Sequence, residues 1–356
     1  MSKVLIIAEA GVNHNGDINL AHKLIDEAKK ANADIVKFQT AKAEMLISKY
    51  AEKAAYQKET TDATESQLDM VRKIMLNYED FIELKRHCEE IGIGFLSTPF
   101  ESDALHFLVD KCKMNCIKIP SGEITNAPFL LDVARTKTKV ILSTGMSTLG
   151  EVETALGILA FGYLYDGEPV SQYDFLKAYA EAQNKGILKE HVCLLHCTTE
   201  YPTPFNEVNL AAMDTMSKAF DLPVGYSDHT PGIAISLAAV ARGATIIEKH
   251  FTLDKNLPGP DHKASLEPNE LKDMVEGIRQ IEQSIGDGVK IPTDHEYGNM
   301  KIARKSLVAK SAIKIGETLT KENITVKRPA TGISPMQYWQ ILGQTSMKNY
   351  EEDQVL

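Results

Sequence analysis

The sequence predicts an α/β protein with a (β/α)₈ TIM barrel over residues 1–285, a linker over 286–301 and a small β-rich domain over 302–356. Three observations support this prediction. Eight short apolar runs alternate with amphipathic stretches, every run ends in polar residues, and the chain has room for a barrel of about 250 residues plus a second domain. The alternative is an open doubly wound sheet, but no Gly-x-Gly-x-x-Gly motif follows any run.

The apolar runs have the length and the β-branched composition of strands, and they occupy residues 4–11, 34–40, 93–100, 116–123, 139–146, 191–200, 222–230 and 245–252. The stretches between them carry apolar residues at helical spacing. One of these, IAISLAAVARG, ends in the glycine that is typical of a helix C-terminus. Eight strand-plus-helix units predict parallel strands joined by crossovers, and eight such strands close a barrel.

Two segments interrupt this alternation. Residues 41–76 form a long connection, rich in Glu, Lys and Gln, which predicts a lid or an interface element. Residues 161–190 predict an additional helix-loop insertion without an assigned role. After the last helical stretch, the tail contains the short β-like runs KSLVAKSAI and ITVKRP, and these predict the small second domain.

Composition excludes several classes of protein. With 43% hydrophobic and 25% charged residues, the sequence predicts a globular protein with a sizeable core. Glu9 interrupts the N-terminal apolar run too early for a signal peptide, so a cytoplasmic location is expected. A net charge of −10 argues against a nucleic-acid partner. The five cysteines have neither disulfide nor zinc spacing and are expected to be buried thiols.

Two histidines end neighbouring predicted strands, His229 on the seventh and His250 on the eighth. A pair of imidazoles at matching depth favours a shared divalent cation such as Mn²⁺ or Mg²⁺. Because side chains alternate along a strand, Glu248 is expected to share the inward face of His250, and Lys249 to face the helices. Glu248 is either a further group at the metal or a structural carboxylate that pairs with an inward lysine.

Two lysines end the second and fourth predicted strands, Lys37 and Lys118. Several hydroxyl side chains end other strands or lie beside them, namely Thr98, Ser121, Ser143 and Ser227. Two ammonium groups with hydroxyl donors form the kind of site that binds a small phosphorylated or carboxylated anion. The alternative is a Schiff-base lysine, as in class I aldolases, but that mechanism does not use a metal-binding histidine pair.

Three carboxylates also lie at predicted strand ends or in nearby loops: Glu9, Glu123 and Asp261. Glu9 is distinctive because it closes the apolar run LIIA. A carboxylate at the end of a buried strand suits the activation of water or the binding of a substrate hydroxyl.

Ten motifs of this chain, taken together, resemble those of the sialic acid synthases, and especially the bacterial N-acetylneuraminate synthases. They are EAGVNHNGD, VKFQT, STPF, KIPSGE, STGM, HCTTEYPTP, GYSDHT, EKHFTLDK, GPDHKASLEP and KRPATGISP. The resemblance covers essentially the whole chain in order. The tail is similar to the antifreeze-like (SAF) domain of that family.

The resemblance implies a role for each matching residue. His229 and His250 would bind the metal, and Glu9 would act with them in catalysis. The groups implied to hold phosphoenolpyruvate are Lys37, Thr98, Lys118, Ser121, Ser143 and Ser227. Those implied to surround the acceptor sugar are Gln39, Glu123, Tyr201, Asp261 and Arg328.

The resemblance also implies a domain-swapped homodimer, in which Arg328 of one subunit enters the barrel of the other and binds the N-acetyl group of the sugar.

Two departures from the family pattern concern residues that are implied to contact the ligands. The C-terminal motif reads KRPATGISP where Gly-Asn-Gly is common, and Thr199 stands where some members have Asn. One phosphate contact is therefore expected to differ.

The implied reaction joins phosphoenolpyruvate, N-acetylmannosamine and water to give N-acetylneuraminate and phosphate by C–O cleavage. In the same family, the acceptor of the alternative reaction is a 2,4-diacetamido-trideoxy sugar that gives legionaminate or pseudaminate. A further alternative is a 6-phosphorylated N-acetylmannosamine. From a different class, a non-catalytic sugar-binding protein would require a broken set of strand-end residues, and the set is intact.

Overall fold

Eight parallel strands form the central sheet of the N-terminal unit in the computed structural model, which describes residues 3–53 and 65–356. Each lies within one of the eight predicted runs. The strands are β1 (Leu5–Gly11), β2 (Ile35–Thr40), β3 (Gly94–Pro99), β4 (Cys116–Ile119), β5 (Lys139–Ser143), β6 (Val192–His196), β7 (Val224–Asp228) and β8 (Ile246–His250).

The strand order is that of a barrel opened between β3 and β4. Every other pair of sequence neighbours shares a parallel ladder, and β1 pairs with β8. Strands β3 and β4 lie beside each other without a ladder among the described residues. This eight-stranded near-barrel confirms the predicted fold class.

The described part of this unit has twelve α-helices, and helices follow every strand. They are α1 (Ile18–Lys30), α2 (Ala43–Leu46), α3 (Gln67–Ile74), α4 (Tyr78–Ile91), α5 (Ser102–His106), α6 (Ala127–Arg135), α7 (Leu149–Leu164), α8 (Gln172–Lys185), α9 (Ile187–His191), α10 (Ala211–Phe220), α11 (Ala234–Ala241) and α12 (Pro268–Ser284). The sequence fixes their ends locally, as at α7, where Thr148 and Glu151 form a capping box.

The two segments that interrupt the alternation contain helices α2, α3, α8 and α9. Helix α8 packs on α7 through an edge-to-face contact between Phe175 and Phe161, with ring centroids 5.7 Å apart. The segment 161–190 thus thickens the outer helix layer. The predicted lid or interface element spans 41–76, of which residues 54–64 lie outside the described residues, so that interpretation stays a prediction.

The C-terminal unit comprises residues Asp287–Leu356. It contains helix α13 (Asp294–Ala303), an antiparallel pair of strands, β9 (Ser306–Ala309) and β10 (Ile324–Lys327), and the short helix α14 (Tyr338–Ile341). Its own small core includes Leu307, Ile313 and Ile324.

No helix in the described parts of the chain is both long enough and apolar enough to cross a membrane.

Candidate active site

A cavity of about 460 Å³ lies at the carboxyl ends of the barrel strands. This is the end at which barrel enzymes carry their active sites. Thirteen of the fourteen predicted site residues line it: Glu9, Lys37, Gln39, Thr98, Lys118, Ser121, Glu123, Ser143, Tyr201, Ser227, His229, His250 and Asp261. Residues distant in sequence therefore meet in one place because parallel strands all end at the same rim.

The two predicted anion-binding lysines are buried and share a carboxylate. The ammonium nitrogen of Lys37 lies 3.6 Å from Glu248 Oε2, and that of Lys118 lies 3.6 Å from Glu248 Oε1. Ser227 donates a hydrogen bond of 2.9 Å to Glu248 Oε1. Burial raises the pKa of the Glu248 carboxyl, but Lys118 and Lys37 oppose this and bring it to about 2. Glu248 thus pairs with both lysines, as in the second of the two roles considered for it from the sequence, and its contact with a metal stays a prediction.

Glu9 lies beside Lys37 at the ends of neighbouring strands. Lys37 Nζ is 2.6 Å from Glu9 Oε2, and Gln39 donates a hydrogen bond of 3.2 Å to Glu9 Oε1. Burial raises the pKa of Glu9 to about 7 against the opposing effect of Lys37. A Cβ at Gly11, whose φ is +54°, would lie 3.2 Å from Glu9 Oε1, so glycine allows the backbone to approach this carboxylate closely.

The two histidines present neutral rings to the cavity. His229 Nδ1 lies 2.6 Å from the carbonyl oxygen of Thr198, and because a carbonyl only accepts, Nδ1 carries the proton and Nε2 keeps a lone pair. Burial lowers the pKa of His229 to about 4 and that of His250 well below its usual range. The two ring centroids are 5.8 Å apart, and the Tyr201 ring lies 4.2 Å from that of His229.

The donor atoms at these histidines fit a divalent ion held by few protein ligands. His250 Nδ1 is buried without a hydrogen-bond partner among the described residues. The carboxylate oxygen Oδ2 of Asp261 lies 3.8 Å from it. Across the described ranges, no group of three or more His, Cys, Asp or Glu side chains is placed so that it could hold a metal ion. Water and substrate oxygens would complete the coordination, as in open catalytic sites.

The hydroxyl groups of the cavity lie around the lysines. Thr98 Oγ1 accepts a hydrogen bond of 3.1 Å from Lys37, and Ser121 Oγ accepts one of 3.0 Å from the backbone N–H of Gly145. Thr199, the residue at which a phosphate contact was expected to differ, also lines the cavity. Its hydroxyl oxygen is buried without a partner among the described residues.

Arg328, the remaining predicted site residue, belongs to a different unit of the chain. It follows β10 in the C-terminal unit, is exposed, and donates a hydrogen bond of 2.8 Å from Nε to the carbonyl oxygen of Ala303. Its position in the barrel of a partner subunit stays a prediction.

Glu123 lines the cavity and accepts a hydrogen bond of 2.6 Å from Asn126.

Beneath the strand ends, a buried ion pair joins β7 to β8. Lys249 faces the helix layer, where its ammonium nitrogen lies 3.1 Å from Asp228 Oδ2 and donates to the carbonyl oxygen of Thr230. Asp228 also accepts hydrogen bonds from Thr230 and Ser236. The pair therefore connects the backbone next to His229 with the backbone next to His250.

The apolar half of the cavity was not predicted from the sequence. This half is formed largely by the described residues around α2 and α3: Leu46, Ile47, Ala51, Met70, Val71, Ile74 and Met75. The apolar residues of QLDMVRKI recur at helical spacing, and this pattern could have predicted an apolar helix face. The many charged residues of the segment indicated a solvent-exposed connection instead.

Comparisons with known proteins agree with this geometry. A model of the NeuB family matches residues 24–290, and a model of the SAF domain matches residues 304–356. The chain belongs to the NeuB family. It is 52% identical over 356 residues to the N,N'-diacetyllegionaminic acid synthase of Campylobacter jejuni, covering 100% of this chain and 99% of that relative.

A second N,N'-diacetyllegionaminic acid synthase, from Legionella pneumophila, is 42% identical over 344 residues, which cover 97% of this NeuB-family chain and 90% of the relative. The crystal structure of N-acetylneuraminic acid synthetase from Leptospira borgpetersenii in complex with citrate is 34% identical with a TM-score of 0.67, covering 84% of this chain and 90% of that one. The resemblance to sialic acid synthases is confirmed, and the chain is an enzyme of the sialic and legionaminic acid synthase family.

Proposed function

We propose that this enzyme condenses phosphoenolpyruvate with a 2,4-diacetamido-2,4,6-trideoxy hexose and water, giving N,N'-diacetyllegionaminate and phosphate. The observation that carries the reaction is the meeting of Lys37, Lys118, Glu9 and the two neutral histidines in one buried cavity. The identity of the sugar rests on the relatives, since the legionaminic acid synthases are 52% and 42% identical and the neuraminic acid synthetase 34%. This favours the alternative acceptor over N-acetylmannosamine.

Phosphoenolpyruvate would bind at the two lysines. Its phosphate and carboxylate are anions, and ammonium groups together with hydroxyl donors stabilise such groups strongly in a buried site. Lys37 lies on β2 and Lys118 on β4. The hydroxyl groups of Thr98, Ser121, Ser143 and Ser227 line the same cavity. This arrangement would hold the enol carbon C3 towards the histidines.

The aldehyde of the open-chain sugar would lie at His229 and His250. A divalent ion held by these two rings, Mn²⁺ or Mg²⁺, would supply Lewis-acid polarisation of the aldehyde oxygen. The neutral form of both rings keeps their lone pairs available for such an ion. The π electrons of phosphoenolpyruvate would then form the bond from C3 to C1 of the sugar as the π bond of the aldehyde breaks. The aldehyde oxygen would take up the proton that the attacking water releases through Glu9.

Glu9 would activate the water. As C3 bonds to the sugar, positive charge develops at C2 of phosphoenolpyruvate, and a water molecule that transfers a proton to Glu9 can add there. The C2 hydroxyl of the resulting adduct then gives its proton to the phosphate group as the C2–O bond to phosphate breaks, which leaves the ketone of the product and inorganic phosphate. Gln39 would hold the Glu9 carboxylate in place through their hydrogen bond.

Assembly and location also stay proposals. Arg328 of one subunit would reach the sugar's acetamido group in the other subunit, making a domain-swapped homodimer. The cytoplasmic location expected from the sequence is part of the same proposal, since phosphoenolpyruvate is a metabolite of the cell interior.

A panel of acceptor sugars tests the proposed function. Phosphate release from phosphoenolpyruvate is measured with the diacetamido sugar, with N-acetylmannosamine and with its 6-phosphate, each with Mn²⁺. We expect the highest kcat/KM with the diacetamido sugar. A higher kcat/KM with N-acetylmannosamine or its 6-phosphate would overturn the proposed acceptor, and release with none of the sugars would overturn the reaction.

A further inference from the structure

The cavity combines a polar floor with one apolar side. The floor is formed by the strand ends, which carry the lysines, histidines and carboxylates. The apolar side includes four half-buried residues of the segment after β2, which we call the apolar wall: Leu46, Ile47, Ile74 and Met75. The side chains of Leu46, Ile47 and Ile74 carry no hydrogen-bonding group, and the thioether of Met75 is only a weak acceptor.

The apolar wall is anchored by its own small core. Ala43 of α2 packs against Met70 and Val71 of α3, with Ile47 and Met75 at the edge of the cluster. On the outer side, Arg72 donates a hydrogen bond of 2.7 Å to Glu44 and joins the two helices. The wall is therefore a packed element with a polar outer face, and its apolar residues line the cavity together with Ser48 and Gln67 of the same segment.

The position of the wall relative to the reacting groups decides which part of a sugar it meets. The aldehyde carbon C1 has to lie beside phosphoenolpyruvate, and thus beside Lys37, Lys118 and the histidines on the floor. The other end of the open chain, from C4 to C6, then extends away from the strand ends. Helices α2 and α3 belong to the connection after β2, so they lie beyond those strand ends.

We propose that the apolar wall is the specificity-determining element for the C4–C6 end of the acceptor, receiving the C6 methyl group and the methyl of the C4 acetamido group. This inference rests on the proposed function. N-Acetylmannosamine carries hydroxyl groups at C4 and C6, and both would lose their hydrogen bonds to water against this surface. An apolar site disfavours a ligand that adds a single hydroxyl by about 100-fold.

Polar substitutions in the wall test the inference. Ile47→Asn and Ile74→Asn are expected to lower the ratio of kcat/KM for the diacetamido sugar over N-acetylmannosamine by roughly 10-fold or more, mainly through the KM of the sugar. The KM of phosphoenolpyruvate is expected to change little, since the lysines lie on the floor. Ile74→Val keeps the apolar surface and is expected to keep the ratio.

Met45 supplies the matched control. It lies on α2 between Glu44 and Leu46, is 59% exposed and does not line the cavity. Met45→Asn introduces the same side chain two residues before Ile47, on α2, and is expected to leave the ratio at the wild-type value. An equal change of the ratio in Met45→Asn and Ile47→Asn would overturn the inference.

The outcomes separate this inference from the proposed function. If the wild-type enzyme prefers the diacetamido sugar and both wall variants keep the wild-type ratio of kcat/KM, the wall does not set specificity, and the proposed function stands. If the wild-type enzyme prefers N-acetylmannosamine, the proposed function fails and this inference fails with it. A melting temperature within a few degrees of wild type for at least one wall variant shows that the change is not one of folding.

Discussion

Lys37 and Glu9 form a buried ion pair, with Lys37 Nζ 2.6 Å from Glu9 Oε2. The two residues face each other in register on β2 and β1, so the barrel itself brings them together. One belongs to the proposed phosphoenolpyruvate site and the other is the proposed base. Substrate binding at Lys37 would therefore change the charge next to Glu9 at the step where a base is needed.

Replacing either lysine should weaken the binding of phosphoenolpyruvate. Lys37→Met and Lys118→Met each remove one charged donor, and a hydrogen bond to a charged group contributes about 1.5–3 kcal/mol, which corresponds to roughly 10- to 150-fold in KM. Steady-state kinetics at saturating sugar measure this. Lys189→Met, at an exposed ion pair with Asp221, is the control and should leave KM unchanged. An unchanged KM in both lysine variants of the cavity would contradict the assignment.

Glu9→Gln should abolish most of the catalytic rate. General base catalysis contributes about 10²- to 10⁴-fold, so kcat should fall by that factor while the KM of phosphoenolpyruvate changes far less. Rapid-quench measurement of product at saturating substrates checks this. A fall in kcat of less than about 10-fold would contradict the role of Glu9 as the base.

The raised pKa of Glu9 predicts a pH dependence. Because burial raises this pKa to about 7, the carboxylate that accepts a proton predominates above pH 7 and is lost as the pH falls through that value. The pKa of His229 is about 4, so this ring stays neutral over the same range. The kcat/KM for the sugar should therefore fall between pH 8 and pH 6. A constant kcat/KM over that range would contradict this prediction.

Removal of the metal should stop the reaction reversibly. EDTA is expected to abolish phosphate release, and added Mn²⁺ to restore it, because the aldehyde would otherwise lack an electrophilic partner. Electron paramagnetic resonance should detect Mn²⁺ bound to the wild-type protein and weaker binding to His229→Ala and His250→Ala. Activity that persists in EDTA, with no bound Mn²⁺ in the wild-type protein, would exclude the proposed metal site.

The buried pair of Lys249 and Asp228 should contribute strongly to stability. Lys249→Met leaves the Asp228 carboxylate buried without its cation, and breaking a buried pair in this way costs about 3–5 kcal/mol. The midpoint of urea unfolding, followed by circular dichroism, should fall clearly. Lys189→Met breaks a solvent-exposed pair and should leave the midpoint nearly unchanged. Equal midpoints for the two variants would contradict this prediction.

Much of the fold could be predicted because the barrel repeats one simple pattern. Each buried strand is a short apolar run such as LIIA, and the polar residue that ends it, here Glu9, must lie at the rim of the barrel. The same rule predicts that His229 and His250 lie close together. Parallel strands convert separate motifs into one site without further information.

The apolar wall and the position of Arg328 could not be predicted in this way. Helix α3 carries charged residues on its outer face, and these hide the helical spacing of its apolar residues in the sequence. The position of α3 over the barrel also depends on its packing against Ala43, which the sequence pattern does not show. Arg328 belongs to a different unit of the chain, and no periodicity relates it to the strand ends. The strand-end motifs also serve the part of the reaction that all acceptor sugars share, so they do not distinguish one sugar from another.

The fate of a labelled oxygen tests the central claim most directly. Phosphoenolpyruvate with ¹⁸O in the bridging position is incubated with the enzyme, Mn²⁺ and the diacetamido sugar, and the products are analysed by ³¹P NMR and mass spectrometry. The account predicts ¹⁸O in the released phosphate and an unlabelled nine-carbon acid that carries two acetamido groups. Label retained in the sugar product, or the absence of that product, would contradict it.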